Sequence, residues 1–219
     1  MNKNLLKRIV LTSAIAVLGV STSFAALVME RDQSVDTAPS VGMYRFEVPV
    51  ELQGTYNSAG VANLTASMEK EPNTLSMNVA HVKGNPSESY VVEIYKDLAA
   101  IETHRKSDHY QAFVNEVGSK LTNRKMYDVQ SVLLFEKKDA LSIVNDGKTV
   151  VTLTEFTVDS NEIDTVQRQY QLDMERAVRD DVGYKAGYVL RERNAKNRWY
   201  VIQIYSDQEA LTKHLNSPG

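Results

Sequence analysis

The sequence contains no cysteine, one tryptophan and four histidines among its 219 residues. Without cysteine, disulfide bonds, thiolate metal sites and a cysteine nucleophile are excluded, so stability must come from an ordinary hydrophobic core. The formal net charge of −3 comes with no cluster of Lys or Arg, which argues against a nucleic-acid partner. No HExxH-like His/acid spacing, G-x-S-x-G, GxGxxG or P-loop motif occurs. We therefore predict neither a metal site nor a nucleotide-binding loop.

Long apolar runs are also missing, apart from one near the N-terminus. Basic residues precede an apolar run over residues 9–20, and the small residues Ser23 and Ala25 follow it. This order is typical of a secretory signal cleaved after Ala25, although an uncleaved anchor helix is the alternative. We predict a signal peptide over residues 1–25 and an exported protein, periplasmic or secreted. After cleavage, no apolar run approaches the ~20 residues that a membrane-spanning helix needs.

The rest of the chain contains an internal repeat. Matching residues of the two copies are as far apart in sequence as Tyr90 and Tyr200. Residues 90–107 read YVVEIYKDLAAIETHRKS, and residues 200–217 read YVIQIYSDQEALTKHLNS. The residues of the first copy that recur at this spacing are Tyr90, Val91, Ile94, Tyr95, Asp97, Ala100, His104 and Ser107. Such gap-free agreement indicates an internal duplication.

Each copy is predicted to fold in the order β-α-β-β-α. The β-branched and aromatic residues 90–95 are typical of a strand, Asp97 is placed to cap the helix that follows, and Ser107 can cap a further helix. A strand, a helix and a strand precede this block, at 43–50, 59–70 and 76–83 in the first copy and at 150–158, 163–178 and 184–193 in the second. In the first copy, residues 127–135 add a final strand, which gives βαββαβ, the ferredoxin-like split βαβ unit.

The predicted boundaries are a flexible leader over 26–42, a first module over 43–138, a polar linker over 139–148 and a second module over 149–219. The second module ends before a counterpart of the last helix and the fourth strand. We expect the chain either to be a fragment or to obtain the missing strand from elsewhere. We favour a fragment, because without a fourth strand one edge of the second module's sheet would stay uncovered.

The pattern Ile94-Tyr95-x-Asp97-x-x-Ala100-x-x-x-His104-x-x-Ser107-x-His109 resembles the antibiotic biosynthesis monooxygenase (ABM) family, which includes the quinol monooxygenases. The resemblance implies an α+β fold of the dimeric α+β barrel superfamily, in which two βαββαβ sheets pack face to face around an apolar pocket. Because one chain carries both copies, we expect an intrachain pseudo-dimer, and further homo-oligomerisation stays open. The family implies a small aromatic or quinol-like ligand, oxidation by O₂, and neither cofactor nor metal.

The histidines are the candidate catalytic residues. His104 and His214 recur in the two copies, whereas His109 occurs in the first alone. Histidine is the side chain most readily tuned to accept a phenolic proton near neutral pH. The alternative for His104 and His214 is that each holds a helix against the sheet, and recurrence in both copies favours that structural role. The alternative for His109 is a solvent-exposed residue at the start of a helix.

Aromatic side chains are the candidate ligand contacts. Tyr95, Tyr205 and Trp199 could orient or stack on a ring, and His81 lies on a strand face that could line a pocket. Core packing is the alternative for each of them. Glu93 is a further acid on the repeated strand, but the second copy has a glutamine at that place, which weakens the case for a paired base.

Two functions follow from these patterns. One is a cofactor-independent monooxygenase of quinol-like or small aromatic substrates. The other is a non-catalytic ligand-binding or structural barrel, which the weak first helix, the unequal copies and the lack of a clear acid–base pair favour. An open apolar cavity ringed by His and Tyr would support the enzyme, and a filled interior would support the structural module.

Overall fold

The computed structural model describes residues 7–18, 39–137 and 147–217. The first module contains β2 (Ser40–Glu47), α1 (Gln53–Lys70), β3 (Thr74–Val82), β4 (Asn85–Tyr95), α2 (Leu98–Lys106), α3 (Asp108–Glu116), β5 (Thr122–Tyr127) and β6 (Val129–Glu136). The second contains β7 (Val150–Thr157), α4 (Ile163–Asp180), β8 (Tyr184–Glu192), β9 (Arg198–Tyr205) and α5 (Gln208–Asn216). One strand, β1 (Lys7–Leu18), precedes both modules.

The two modules repeat element by element at the spacing found in the sequence. Ser40 and Val150 begin equivalent strands, and Gln53 and Ile163 begin equivalent helices, with the same separation in both pairs. The tandem arrangement of ferredoxin-like modules is therefore confirmed. The first strand begins at Ser40 rather than at the predicted residue 43, because its ladder with β4 already starts with Ser40 opposite Tyr95.

Capping residues define the starts of the short helices. The Asp97 carboxylate accepts a hydrogen bond from the Ala100 backbone N–H at 2.9 Å, and Asp207 accepts one from Ala210 at 2.8 Å. Ser107 ends α2 and accepts from the Tyr110 N–H at 3.3 Å, which begins α3. Each side chain thus satisfies a backbone donor that has no partner inside its helix, as the sequence predicts.

The strands follow one another in the order β5-β2-β4-β3-β1-β7-β9-β8-β6. Within this order, β5-β2-β4-β3 is the sheet of the first module and β7-β9-β8 is that of the second. All paired neighbours are antiparallel. Only Asp128 separates β5 from β6, yet β5 pairs with β2 of its own module and β6 pairs with β8 of the other. The predicted single fourth strand therefore crosses from one sheet to the other.

A central core joins the inner faces of the two sheets. Tyr127 contacts Tyr200 of the other module edge to face, with ring centroids 5.4 Å apart, and the Ser76 and Tyr188 hydroxyls lie 3.0 Å apart across the interface. The buried residues of this core are Met43, Ala80, Tyr90, Val92, Ile94, Tyr127 and Val129 from the first module and Val151, Leu153, Ala186, Tyr188, Leu190, Tyr200, Ile202 and Ile204 from the second. Burying a large apolar side chain stabilises a fold by ~1.5–3 kcal/mol, so this core holds the two modules together as an intrachain pseudo-dimer.

The outer faces of the sheets carry the helices. Because side chains alternate along a strand, Val91 and Tyr95 of β4 face away from the central core and pack among residues of α1 and α2. In the second module, Val201 of β9 lies in the corresponding outer core with Trp199 and Met174. The helices and the outer sheet face of the first module thus enclose the space in which the candidate site lies.

The predicted N-terminal segments are described only in part. Lys7–Leu18, which lie inside the predicted signal, form β1 and pair with β3 and β7. The rest of the signal, most of the leader and linker residues 139–146 lie outside the described residues, and cleavage after Ala25 stays a prediction. Among the residues that the structure describes, no helix is long and apolar enough to cross a membrane.

Candidate functional site

A cavity of about 90 Å³ lies between the outer face of β2, β3 and β4 and helices α1, α2 and α3. Its wall is mostly aromatic and aliphatic, with a few polar groups among them. The lining residues are Tyr44, Phe46, Tyr56, Gly60, Asn63, Leu64, Val79, Val91, Glu93, Tyr95, Ile101, His104, Arg105, Tyr110 and Phe113. An apolar pocket with few convergent polar groups is the usual form of a small-molecule site.

Gly60 opens the cavity on the α1 side. It is buried, yet a Cβ placed on it would have no heavy atom within 4 Å. A buried position with that much room adjoins empty space rather than packed core. The absence of a side chain at residue 60 therefore helps to keep the cavity open.

Glu93 is the acidic group of the cavity. It projects from β4 on the same face as Tyr95, whose hydroxyl donates a hydrogen bond to Glu93 Oε2 at 3.0 Å. Burial raises the pKa of Glu93 to about 7, against the opposing effects of that hydrogen bond and of the Arg105 charge. A carboxyl group with this pKa exchanges protons near neutral pH, which suits an acid or base.

Tyrosine hydroxyls surround this carboxyl group. Burial and the Glu93 charge raise the pKa values of both Tyr44 and Tyr95, so their hydroxyls remain protonated hydrogen-bond donors at neutral pH. Arg105 also hydrogen-bonds to Tyr44. Gly42 leaves room for the Tyr44 and Glu93 side chains, because a Cβ at residue 42 would lie 2.8 Å from a Tyr44 ring carbon and 3.0 Å from Glu93 Oε2.

A second polar cluster lies beside the cavity at the C-terminal end of α1. Glu71 is the C-cap residue of that helix. His104 Nδ1 lies 3.2 and 3.1 Å from the two Glu71 oxygens, and His109 Nε2 lies 2.7 Å from Oε1. Thr74 Oγ1 donates to Oε2 at 2.6 Å. One buried carboxylate therefore binds α2 and α3 to the end of α1.

This arrangement determines the proton position on His104. Because Nδ1 faces a carboxylate, Nδ1 carries the proton and Nε2 presents its lone pair. Nε2 is buried and has no hydrogen-bond partner among the described residues. Burial lowers the pKa of His104, although the Glu71 charge opposes that effect, so the ring is neutral at pH 7. The result is a Glu–His dyad next to a cavity, with an unused acceptor.

Among the residues that the structure describes, Glu71, His104 and His109 are also grouped closely enough to hold a metal ion. The ligand atoms of Glu71, His104 and His109 all lie within 4.8 Å of one another, and two imidazoles with one carboxylate suit Zn²⁺ or Fe²⁺. A metal-bound histidine normally donates its other N–H to a neighbouring group. His104 Nε2 has no such partner among the described residues, so the cluster fits a hydrogen-bonded dyad better than a metal centre.

The second module keeps the dyad but differs at several cavity positions. His214 Nδ1 lies 2.7 Å from Asp181 Oδ2, in the place of the His104–Glu71 pair. Gln203 replaces Glu93, and Leu215 replaces Arg105. Tyr170 replaces Gly60, and its ring centroid lies 5.6 Å from that of Phe156. The repeated histidine therefore belongs to the shared fold, whereas the acidic cavity belongs to the first module.

The structure brings only part of the predicted site together. His104 and Tyr95 line the cavity, while His109 contacts Glu71 at its edge. His214 and Tyr205 occupy the equivalent places in the second module, with ring centroids 5.4 Å apart.

The other two predicted ligand contacts have packing roles. Trp199 is fully buried in the outer core of the second module, and its Nε1 donates to the Lys196 carbonyl at 3.0 Å. His81 Nε2 lies 3.0 Å from Asn57 Oδ1. Neither residue lines the cavity.

Sequence reasoning missed several residues of the site. Glu71 is far from His104 in sequence and belongs to a different helix, so no short motif contains both. One signal in the sequence could have found Glu71: the second copy also has an acid at the equivalent position, Asp181. Asn63, whose Oδ1 is buried without a hydrogen-bond partner among the described residues, and Arg105 have no counterpart of the same type in the second copy, so the duplication did not mark them.

Comparison with known proteins agrees with this architecture. The family model for antibiotic biosynthesis monooxygenase (ABM) matches residues 41–116 and again residues 149–219. A search of curated proteins found no significant match.

Two solved structures resemble the whole two-module fold. One is a monooxygenase candidate from Lactobacillus acidophilus NCFM, with a TM-score of 0.76 at 19% identity over 83% of each chain. The other is a monooxygenase candidate from Fusobacterium nucleatum, with a TM-score of 0.70 at 23% identity over 83% of this chain and 82% of that one. At these identities the likeness shows the fold alone. Because the family model covers both modules, the chain belongs to the antibiotic biosynthesis monooxygenase family, with two copies of its domain in tandem.

Proposed function

We propose that this protein oxidises a quinol-like or other small phenolic substrate with O₂ in the cavity of its first module, with Glu93 as the base. The observation that carries the proposal is a carboxyl group with a pKa of about 7 in the wall of an aromatic cavity. A base whose pKa lies near the working pH transfers protons most effectively. Family membership supports oxygen chemistry but does not identify the substrate.

The cavity offers one base and one acceptor that two hydroxyls of a quinol could use. One hydroxyl would give its proton to Glu93, while the second would donate to the unpartnered Nε2 of His104. The resulting phenolate would lie among protonated tyrosine hydroxyls and near the Arg105 guanidinium, which stabilise negative charge on oxygen. Glu71 would act as the positioning residue that keeps His104 in the required tautomer.

The oxidation can proceed with the substrate as its only source of electrons. The phenolate donates one electron to O₂, and the radical pair then forms a C–O bond at a ring carbon. Loss of water from this hydroperoxide converts a ring CH₂ of the keto tautomer into C=O. One oxygen atom enters the product and the other leaves as water, so the ring carbon supplies all four electrons. The protein supplies binding, removal of water and proton transfer.

The cavity must enlarge to hold a ring. At about 90 Å³ it is smaller than the ~150 Å³ apolar cavity that binds benzene in an engineered protein. Helix α3 is the element best placed to move, because none of its residues is buried, and it contributes Tyr110 and Phe113 to the wall. Outward movement of α3 would enlarge the cavity and give a substrate access to His104.

The test measures O₂ consumption by the full-length protein with a panel of hydroquinones, and ¹⁸O incorporation from ¹⁸O₂ into the product. We expect activity that rises with pH through about 7, because the ionised carboxylate is the active form. Glu93→Gln should lower kcat/KM by ~10²–10⁴-fold, while leaving ligand binding close to the wild type and the melting temperature close to it at acidic pH, where Glu93 is protonated.

Replacement of the second-module histidine, His214→Ala, is the matched control for His104→Ala. His104→Ala should weaken quinol binding, whereas His214→Ala should change stability without a specific effect on KM. No O₂ consumption across the panel, or full activity in Glu93→Gln, would contradict the proposal. Quinol binding without turnover would instead support the non-catalytic ligand-binding module.

A further inference from the structure

Two hydrogen-bond acceptors in the cavity wall are buried without a partner. Asn63 is 8% exposed and His104 is 1% exposed, and both residues line the cavity. Asn63 Oδ1 and His104 Nε2 have no hydrogen-bond partner among the described residues. Because buried polar atoms are normally hydrogen-bonded, two such atoms in one cavity wall point to a ligand that donates to both. The proposed oxidation uses Nε2 alone and leaves Asn63 without a role.

Ser67 holds Asn63 and His104 close together. It lies one turn after Asn63 on α1, and its hydroxyl donates to the Asn63 carbonyl at 2.8 Å. The same hydroxyl lies 3.3 Å from His104 Nδ1. The two residues with unpartnered acceptors therefore contact one common side chain.

The second module shows where a side chain at this position of the helix points. Asp173 stands at the position of Asn63, and its Oδ2 lies 3.7 Å from His214 Nε2. The two histidine rings have the same orientation, because each directs Nδ1 at the acid that ends the preceding long helix. By this equivalence, the Asn63 amide faces His104 Nε2.

The second module also satisfies this acid within the protein, whereas the first module leaves the amide without a donor. Arg176 donates to Asp173 Oδ1 at 2.9 Å, and the first module has Ala66 in place of Arg176. His104 Nε2 cannot donate to Asn63 Oδ1, because the proton of the ring is on Nδ1. The acceptor pair of the first module therefore suits a ligand with two donors.

The number of donors distinguishes an amine from a hydroxyl at this acceptor pair. A hydroxyl group has one proton, so it donates to one acceptor and leaves the other unpaired. A primary aromatic amine is neutral at pH 7 and has two N–H donors on one nitrogen, one for each acceptor. A cationic ammonium group is disfavoured, because the Arg105 guanidinium also lines the cavity.

The position of Glu93 indicates where the ligand hydroxyl lies relative to this amine. In the second module, Gln203 stands in place of Glu93, and its Nε2 lies 3.4 Å from His214 Nε2. Residue 93 therefore borders the same histidine nitrogen as residue 63. A hydroxyl at Glu93 and an amine at the acceptor pair are close enough to belong to adjacent carbons of one ring.

We infer that the cavity selects 2-aminophenols, which carry an amine on the ring carbon next to the phenolic hydroxyl. The amine donates one N–H to Asn63 Oδ1 and the other to His104 Nε2, while the hydroxyl gives its proton to Glu93. Asn63 is then a specificity-determining residue, and the amine takes no part in electron transfer. The inference rests on the proposed function for the role of Glu93 as the base.

Anaerobic isothermal titration calorimetry of the full-length protein measures binding without turnover. The wild type should bind 2-aminophenol ~10–100-fold more tightly than catechol, because catechol leaves one buried acceptor unpaired. Asn63→Leu removes the amide acceptor at similar volume and should abolish this preference. Asp173→Leu, the matched variant of the second module, should keep it. In the wild type, 2-(methylamino)phenol has a single N–H donor and should lose the preference, so the test does not depend on the folding of a variant.

Measurements of O₂ consumption with the same ligands separate this inference from the proposed oxidation. Equal wild-type affinities for 2-aminophenol and catechol would overturn the inference, even if catechol were oxidised. A preference that persists in Asn63→Leu would overturn the role of Asn63. Selective binding of 2-aminophenol without O₂ consumption would support the inference and contradict the oxidation.

Discussion

A single carboxyl group, that of Glu93, gives the first module a pH response that the second module lacks. Burial raises its pKa from 4.5 to about 7, and Tyr95 donates a hydrogen bond to the ionised form at 3.0 Å. The second module has the neutral Gln203 in this place. The repeated strand therefore carries an ionisable side chain in the first copy and a non-ionisable one at the same position in the second.

The raised pKa of Glu93 should appear as a pH dependence of stability. Between about pH 4.5 and pH 7, the folded state holds this proton more strongly than the unfolded state does, so the free energy of unfolding decreases as pH rises. The contribution is fully present below the unfolded pKa and is lost through the folded pKa. Glu93→Gln should remove this dependence. Urea denaturation of both proteins at pH 5 and pH 7.5 measures the effect, and an unchanged difference between the two pH values would contradict it.

Glu71 should contribute strongly to stability through the two histidines that it binds. In Glu71→Gln, the amide NH₂ group would face a histidine N–H, leaving a buried donor without an acceptor. The expected loss is ~1–3 kcal/mol in the free energy of unfolding. Glu69→Gln, at an exposed position near the end of α1, is the control and should have little effect. Equal stabilities of the two variants would show that the cluster contributes nothing.

The sequence predicts a residue's role well when the evidence for it lies in nearby positions or in the repeat, and poorly when it depends on contacts between distant segments. His104 was identified because it recurs in the second copy, and its packing against the sheet follows from the helical period. Its partner Glu71 comes from the end of a different helix, and the pair forms only when α1 and α2 lie on the same sheet. The sequence identifies Glu93 as an acid on the repeated strand, but its importance depends on burial, which no alternation pattern measures.

Helix α1 determines whether a module has an open cavity. It has the same length and position as α4, but Gly60 stands where α4 has Tyr170. The Tyr170 ring packs beside Phe156, whereas the equivalent Phe46 lines the open cavity. At this position on the helix, the first module therefore leaves open space where the second has an aromatic ring.

Gly60→Tyr should close the cavity by copying the second module. We expect at least a tenfold loss of affinity for a quinol ligand, measured by isothermal titration calorimetry, because the new ring would occupy its space. Stability should not decrease, since replacing a mid-helix glycine gains up to ~1 kcal/mol of helix propensity. Gly54→Tyr is the matched control, because Gly54 is exposed on the same helix and also has open space around it. Undiminished binding in Gly60→Tyr would place the ligand elsewhere.

The order of the elements could be predicted, but not every partner of the strands. The repeat and the strand patterns correctly predicted βαββα in each copy, because both signals are local. The crossing of the fourth strand at Asp128 was not predicted, since pairing with β8 depends on how the two modules pack. Helix α1 begins at Gln53, ahead of the predicted residue 59, because a 3₁₀ turn over Val50–Leu52 leads into it.

The whole molecule is a pseudo-dimer with one specialised half. The central core draws residues from both sheets, so neither module can bury its inner face alone. The second module supplies that partner face, while its own outer space is occupied by Tyr170, Met174 and Trp199. The cavity residues that differ between the copies, among them Gly60, Glu93 and Arg105, therefore distinguish the first module from the second.

The two modules should remain associated after the chain is cut between them. A protease site introduced between residues 137 and 147 would separate the first module from the second in sequence, but β6 would still pair with β8, and the central core would still join both sheets. After cleavage, the two fragments should co-elute from a size-exclusion column at the position of the intact protein and separate only in denaturant. The uncut variant is the control for the inserted site. If the fragments elute separately without denaturant, the linker rather than the core holds the modules together, and a pseudo-dimer stabilised by its shared interior is the wrong description of the molecule.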